Sequence, residues 1–189
     1  NAVLSLNDVS APEDGGPITV TATLTGAVEG GFTVDVRTLD GTATTADSDY
    51  TAVTAETLTF AGTDGETQTF TVAPTADATP ETDETLTVEF DQFNGADADV
   101  DISDTGQVTL SNDDSVSLSV ADVTAGEGDG TVTVTVSLSL PSDLTTTVEY
   151  ATSDGTAEAG ADYAAASGAL TFNPGVTTQT FDVTLTADA

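Results

Sequence analysis

Four acids fall within eight residues at Asp77-Ala78-Thr79-Pro80-Glu81-Thr82-Asp83-Glu84. Pro80 and its polar neighbours mark a loop. Strand-like text stands on both sides, Thr69-Phe70-Thr71-Val72 before it and Leu86-Thr87-Val88-Glu89-Phe90 after it. Carboxylates crowded onto one loop repel each other unless something neutralises them. The chain holds 33 acids against a single base, Arg37, for a net charge of −32. The neutralising partner therefore has to come from solution, and a hard cation is the chemistry expected. The competing reading of such an acid run is a solvated face, which salt-adapted chains commonly carry.

The same composition excludes several functions. Phosphate contacts need Lys and Arg, so nucleic acid is not an expected partner. A polybasic membrane patch is absent for the same reason, and no apolar run approaches a transmembrane span. No signal-peptide pattern opens the sequence, so the numbering is expected to start within a mature or excised segment. Lys, His, Cys, Met and Trp are all missing. A Ser nucleophile would have no ordinary base. A carboxylate pair spaced for glycoside hydrolysis is expected by chance among 33 acids, and no aromatic sugar platform stands beside one. The expectation is that the protein is not an enzyme. Without cysteine there are no disulfides, so redox compartment cannot be read from them. An Asp-rich, Thr-rich, Lys-free chain suits salt water, where cations screen its self-repulsion, and an extracellular or cell-surface location is expected.

The elements that must position these acids are strands. Ile18, Val20, Ala22 and Leu24 alternate with Thr19, Thr21 and Thr23, and Phe32, Val34 and Val36 alternate with Thr33, Asp35 and Arg37. Val132, Val134, Val136, Leu138 and Leu140 alternate with Thr and Ser. Period two marks strands with one buried and one wet face, and Thr suits the wet face through its branched β-carbon. No window carries a helical stripe. Short strands between turn residues read as a β-sandwich.

The sequence also repeats. Val3-Leu4-Ser5-Leu6-Asn7-Asp8-Val9 returns as Val116-Ser117-Leu118-Ser119-Val120-Ala121-Asp122-Val123, and Glu13-Asp14-Gly15-Gly16 returns as Glu127-Gly128-Asp129-Gly130. Asp40-Gly41-Thr42-Ala43 returns unchanged as Asp154-Gly155-Thr156-Ala157, Ser48-Asp49-Tyr50 as Ala161-Asp162-Tyr163, and Leu58-Thr59-Phe60 as Leu170-Thr171-Phe172. A period this long means tandem domains. The first, 1–114, offers seven strands near 3–6, 17–24, 32–38, 57–60, 68–73, 85–90 and 106–111. The second, 115–189, offers the first five, without counterparts of Leu86–Phe90 and Gln107–Leu110.

With these motifs in this order, twice over, the chain resembles the Calx-beta family. The resemblance runs through Glu127-Gly128-Asp129-Gly130, Asp154-Gly155-Thr156-Ala157, Asp162-Tyr163 and Leu170-Thr171-Phe172-Asn173-Pro174-Gly175, and through the matching text of the first repeat. It implies all-β, immunoglobulin-like Greek-key β-sandwiches in tandem that bind Ca2+ in the loops at one end. Carried over position by position, the implied ligands of the first repeat are Glu13, Asp49, Asp77, Glu81, Glu84, Asp113 and Asp114. Asn112 stands where the family often has another Asp. In the second repeat the matching residues are Glu127, Asp162 and Asp188. Ca2+ takes six to eight oxygens, and so many converging carboxylates favour two or more ions.

Other features have plainer readings. Asp97, Asp99, Asp101 and Asp104 lack an EF-hand glycine and read as a solvated loop. Asp40-Gly41 and Asp154-Gly155 read as turns, Tyr50 and Tyr163 as structural, and Arg37 as the partner of a neighbouring acid. The function expected is a calcium-binding structural or adhesive repeat module. The alternative is a calcium-sensing regulatory domain of a larger membrane or secreted protein. The second repeat, lacking two strands, either belongs to a longer array or takes strands from copies of itself by strand addition, which could propagate as a fibre.

Overall fold

The computed structural model describes residues 1–95 and 100–187. Asp97 and Asp99 of the second acid run and the expected ligand Asp188 lie outside them. The described residues are nearly all strand and turn, and the chain divides into two compact units. Unit 1 comprises Asn1–Asp77 with Thr82–Asp113; unit 2 comprises Ala78–Glu81 with Asp114–Ala189.

Unit 1 contains β1 (Ala2–Leu6), β2 (Val9–Pro12), β3 (Ile18–Thr25), β4 (Phe32–Leu39), β5 (Tyr50–Thr51), β6 (Glu56–Phe60), β7 (Thr67–Pro74), β8 (Glu84–Asn94), β9 (Val100–Asp101) and β10 (Thr105–Ser111). They form two sheets, in the orders β5-β7-β3-β1-β9 and β2-β10-β8-β4-β6. The alternation puts its apolar set inward: Val20, Ala22, Leu24, Val34, Val36, Val72, Val88 and Val108 are all fully buried between the sheets. Phe32 stacks on Phe60 with ring centroids 5.1 Å apart. A side chain such as Phe60 contributes about 2–3 kcal/mol by leaving water, and the Thr face stays wet. All seven strands expected from the alternation are present. Three short additions, β2, β5 and β9, are set by pairing; β2, for instance, runs parallel to β10 from Val9↔Val108 to Pro12↔Ser111.

Arg37 stands opposite Glu89 across β4 and β8, and its Nε donates to Glu89 Oε1 at 2.7 Å. The guanidinium pKa is raised by that hydrogen bond first, then by Asp91. In the second acid run, Asp101 is exposed as expected. Asp104 is not simply solvated. It is half-buried, and its Oδ2 accepts the Leu6 N–H at 2.8 Å, so it ties the approach to β10 back onto β1.

Unit 2 contains β11 (Leu118–Val120), β12 (Thr131–Leu138), β13 (Thr146–Ala151), β14 (Ser167–Phe172) and β15 (Thr178–Thr184). They pair as β11-β12-β15 and β13-β14. Its core is smaller: Val136, Leu138, Leu170 and Phe172 are buried, with Val116, Val148, Tyr150, Val176 and Phe181 packed against them. Tyr150 and Phe181 stack at 3.9 Å. Among the described residues, no strand here matches β8, β9 or β10. Ala78–Glu81 belongs to this unit through Pro80, whose carbonyl accepts the buried Ser142 hydroxyl at 2.9 Å and the Asp143 N–H at 3.1 Å.

Candidate metal centre

Unit 1 brings acids together where β7, β8 and β10 end. Glu13 sits in a single 3₁₀ turn, Glu13–Gly15, and is buried. A buried acid is rare unless something holds its charge. Asp77 follows β7 and is exposed, and Asp114 is half-buried. Asp114 is one peptide bond beyond Asp113, so its place follows from the end of β10. One carboxylate oxygen each from Glu13, Asp77 and Asp114 lies within 4.8 Å of the others. Oxygens bound 2.3–2.6 Å from one Ca2+ ion lie at most about 5 Å apart. The spacing and the all-carboxylate donor set therefore fit a hard divalent cation.

The other expected ligands of the first repeat take different places. Glu84 opens β8. Asn112 donates its backbone N–H to Asp83 Oδ1 at 3.1 Å, so Asp83, an acid outside the expected ligand set, fastens the end of β10. Asp113 is exposed. Glu81 lies in the segment that belongs to unit 2. Asp49 is half-buried and turned into its own loop, where its Oδ2 accepts the Thr44 N–H at 2.6 Å. The grouping within one ion's reach thus comprises Glu13, Asp77 and Asp114 out of the wider set.

In unit 2, Glu127 and Asp162 line one open cavity of about 580 Å³, with Thr152, Ser153, Thr156 and Ala157 around them. Glu127 begins the 3₁₀ turn Glu127–Asp129 and is exposed. Asp162 Oδ2 accepts the Glu158 N–H at 2.7 Å, which repeats the arrangement of Asp49.

A clamp beside each aspartate is also repeated. Tyr50 Oη donates to Asp40 Oδ1 at 2.7 Å, and the Thr45 N–H donates to the same oxygen at 3.0 Å. In unit 2, Tyr163 Oη donates to Asp154 Oδ1 at 2.7 Å, joined by the Ala159 N–H at 2.8 Å. The tyrosines are structural, as expected, and the clamps close the loops that carry Asp49 and Asp162. Only the pairing was hidden from the sequence; the shared signal was Asp-Gly-Thr-Ala followed by Asp-Tyr.

These bonds shift the groups in opposite senses. The Tyr50 hydroxyl, then the Thr45 N–H, lower the pKa of Asp40. Burial, then the hydrogen bond to Asp40, pushes Tyr50 up to about 12. A hydroxyl raised by folding supports the fold fully below its ordinary value near 10 and loses that support as pH climbs through about 12. Asp40 supports it above about pH 4 and fades as pH falls through its depressed value. Tyr50→Phe is expected to return the Asp40 carboxyl titration toward the ordinary range and to flatten the alkaline decline in melting temperature. Carboxyl NMR titration checks the first. An unmoved Asp40 titration would mean that the hydroxyl does not hold it.

The Calx-beta domain profile matches residues 3–114 and 111–189. Among solved structures, CBD12 from CALX1.2 is 18% identical, covering 99% of this chain and 76% of that one with a TM-score of 0.52. The apo-form Calx CBD1 domain is 22% identical, covering 60% of this chain and 98% of that one with a TM-score of 0.50. These likenesses are ones of fold. No curated protein matches the sequence significantly.

Proposed function

Since the chain belongs to the Calx-beta family, matched along both repeats, we propose that it is a calcium-binding structural module of an extracellular or cell-surface protein. Neighbouring repeats are its mechanical partners, and binding rather than catalysis is its role. The observation that carries the reading is the convergence of Glu13, Asp77 and Asp114 within 4.8 Å. One divalent ion there would leave one negative charge in place of three. Asp49, Glu81, Glu84, Asn112 and Asp113 are proposed as the wider ligand set of unit 1, and Glu127, Asp162 and Asp188 as that of unit 2. When bound, the ion supplies no chemistry beyond charge and cross-linking. The chain's own residues do the rest: Glu13 anchors the loop before β3, Asp77 the end of β7, and Asp114 the exit from β10. The extracellular placement draws on the net charge of −32, which a saline medium screens. A calcium-sensing regulatory role is the second reading; it rests on the family alone.

The direct test is calorimetric titration of the 189-residue chain at fixed ionic strength. Saturable uptake of Ca2+ is expected, with Mg2+ far weaker because it resists irregular oxygen cages. Asp77→Asn with Asp114→Asn should remove the tightest phase. No saturable heat up to millimolar Ca2+, or equal responses to both ions, would overturn the proposal.

A further inference from the structure

Unit 1 shows what stands on an edge that unit 2 leaves open. β4 is paired on both sides, by β6 and by β8. Its counterpart β13 is paired by β14 only. At the corner beside β4, the Ala43 N–H donates to the Thr85 carbonyl at 2.9 Å, and the Thr85 N–H donates to Thr42 Oγ1 at 2.7 Å. The fit is close: a Cβ on Gly41 would stand 2.3 Å from the Thr85 carbonyl oxygen. Unit 2 carries the same letters, Gly155-Thr156-Ala157, yet a Cβ on Gly155 would meet nothing within 4 Å. Thr156 and Ala157 instead line the 580 Å³ cavity.

The opposite sheet carries the same imprint. Leu4 and Leu6 of β1 are 0% and 8% exposed, whereas their counterparts Leu118 and Val120 are 45% and 62% exposed. Val9 packs against the core of unit 1, but its counterpart Val123 is 49% exposed. The residues that β8 and β10 shield in unit 1 are bare in unit 2. An unpaired strand edge beside exposed apolar side chains is a template for strand addition.

We propose that this face of unit 2 is an acceptor for a two-stranded antiparallel segment with the chemistry of β8 and β10. Its first strand opens on a carboxylate, alternates Thr with Leu and Val, and pairs antiparallel with β13. Its leading carbonyl and N–H engage the Ala157 N–H and the Thr156 hydroxyl. Its second strand covers Leu118, Val120 and Val123. The occupant is a free segment, not a second copy of this chain, because β8 here lies between β10 and β4 and releasing it would open unit 1. The proposal is independent of ion binding, so the calcium titration above can fail without touching it.

The probe is a synthetic peptide of residues 82–111 added to the isotope-labelled 189-residue chain. Saturable binding is expected, with new hydrogen-exchange protection at the amides of Thr146–Ala151, and a scrambled peptide should give none. Gly155→Ala should weaken binding at least tenfold, because the added Cβ meets the incoming carbonyl, while leaving melting of the chain unchanged. Leu118→Ser with Val120→Ser, both exposed, gives a second variant should Gly155→Ala misfold. Absence of protection on β13, equal binding by the variants, or exchange confined to unit 1 would overturn the proposal. So would self-association of the chain alone protecting the same amides.

Discussion

Removing calcium is expected to lower the melting temperature of unit 1 by on the order of 10 °C or more. An ion that binds only the folded form stabilises it by about 2.7 kcal/mol at a hundredfold excess over its dissociation constant. For a domain of this size each kcal/mol is worth roughly 4–8 °C. Chelation also restores the repulsion among Glu13, Asp77 and Asp114, whose oxygens lie within 4.8 Å. Each pair costs about 1 kcal/mol in water and several times that where the effective dielectric falls to about 20. The double variant Asp77→Asn with Asp114→Asn should therefore reverse the order. It should melt above the wild type in chelator, having shed repulsion, and below it in millimolar Ca2+, having lost the ion. Scanning calorimetry of both proteins in both media reads the crossover. Curves that ignore chelator at fixed ionic strength would refute calcium-dependent stability.

Gly41→Ala is expected to destabilise unit 1 strongly, and Gly155→Ala hardly at all. The new Cβ at position 41 would sit 2.3 Å from the Thr85 oxygen and 3.1 Å from its carbon. Those atoms are backbone of β8, which is held by β10 on one side and β4 on the other, so the neighbour cannot swing away as a side chain would. Overpacking of this kind costs typically about 1–3 kcal/mol and occasionally more, or roughly 5–20 °C for such a domain. At position 155 the same methyl faces open space, where substitutions usually stay within about 0.5 kcal/mol. Thermal unfolding of the two single variants makes the comparison. Equal shifts would mean that the glycine serves turn geometry alone.

Much of the sandwich was legible because its signal is local. Ile18, Val20, Ala22 and Leu24 alternate without a break, and β3 buries that face. The short strands were not legible, because their cause lies elsewhere in the chain. Val9–Pro12 is a strand in unit 1 only because β10 runs beside it; the matching Val123 has no such neighbour and stays in a loop. The same alternation reads Leu118 and Val120 as core, but burial needs a covering strand as well as a pattern. The centre was partly legible. Acid on the 77–84 loop is visible in the letters, whereas the meeting of Glu13 with Asp77 and Asp114 depends on three loops closing together, and only the family likeness pointed to it. Glu81 stands beside Pro80 in the chain, and the buried Ser142 hydroxyl, far along the sequence, takes that segment into unit 2. No local pattern carries that.

The repeated aspartate clamps have a bearing on how the protein answers to salt. Asp40, Asp154 and Asp104 find their donors in loop N–H groups and tyrosine hydroxyls, and Glu66 takes the Ala61 and Gly62 N–H groups. Contacts made at hydrogen-bond distance inside one loop are little affected by mobile ions. The repulsion among 33 acids is long-ranged and fades once the Debye length shrinks below about 10 Å near 0.1 M. The ion pairs that salt could weaken centre on Arg37, the chain's lone basic side chain. Most proteins trade lost ion pairs against relieved repulsion as ionic strength rises, and their stability passes through an optimum. Here nearly everything on the losing side of that exchange is missing, so the response has one sign: brine tightens this fold and fresh water loosens it.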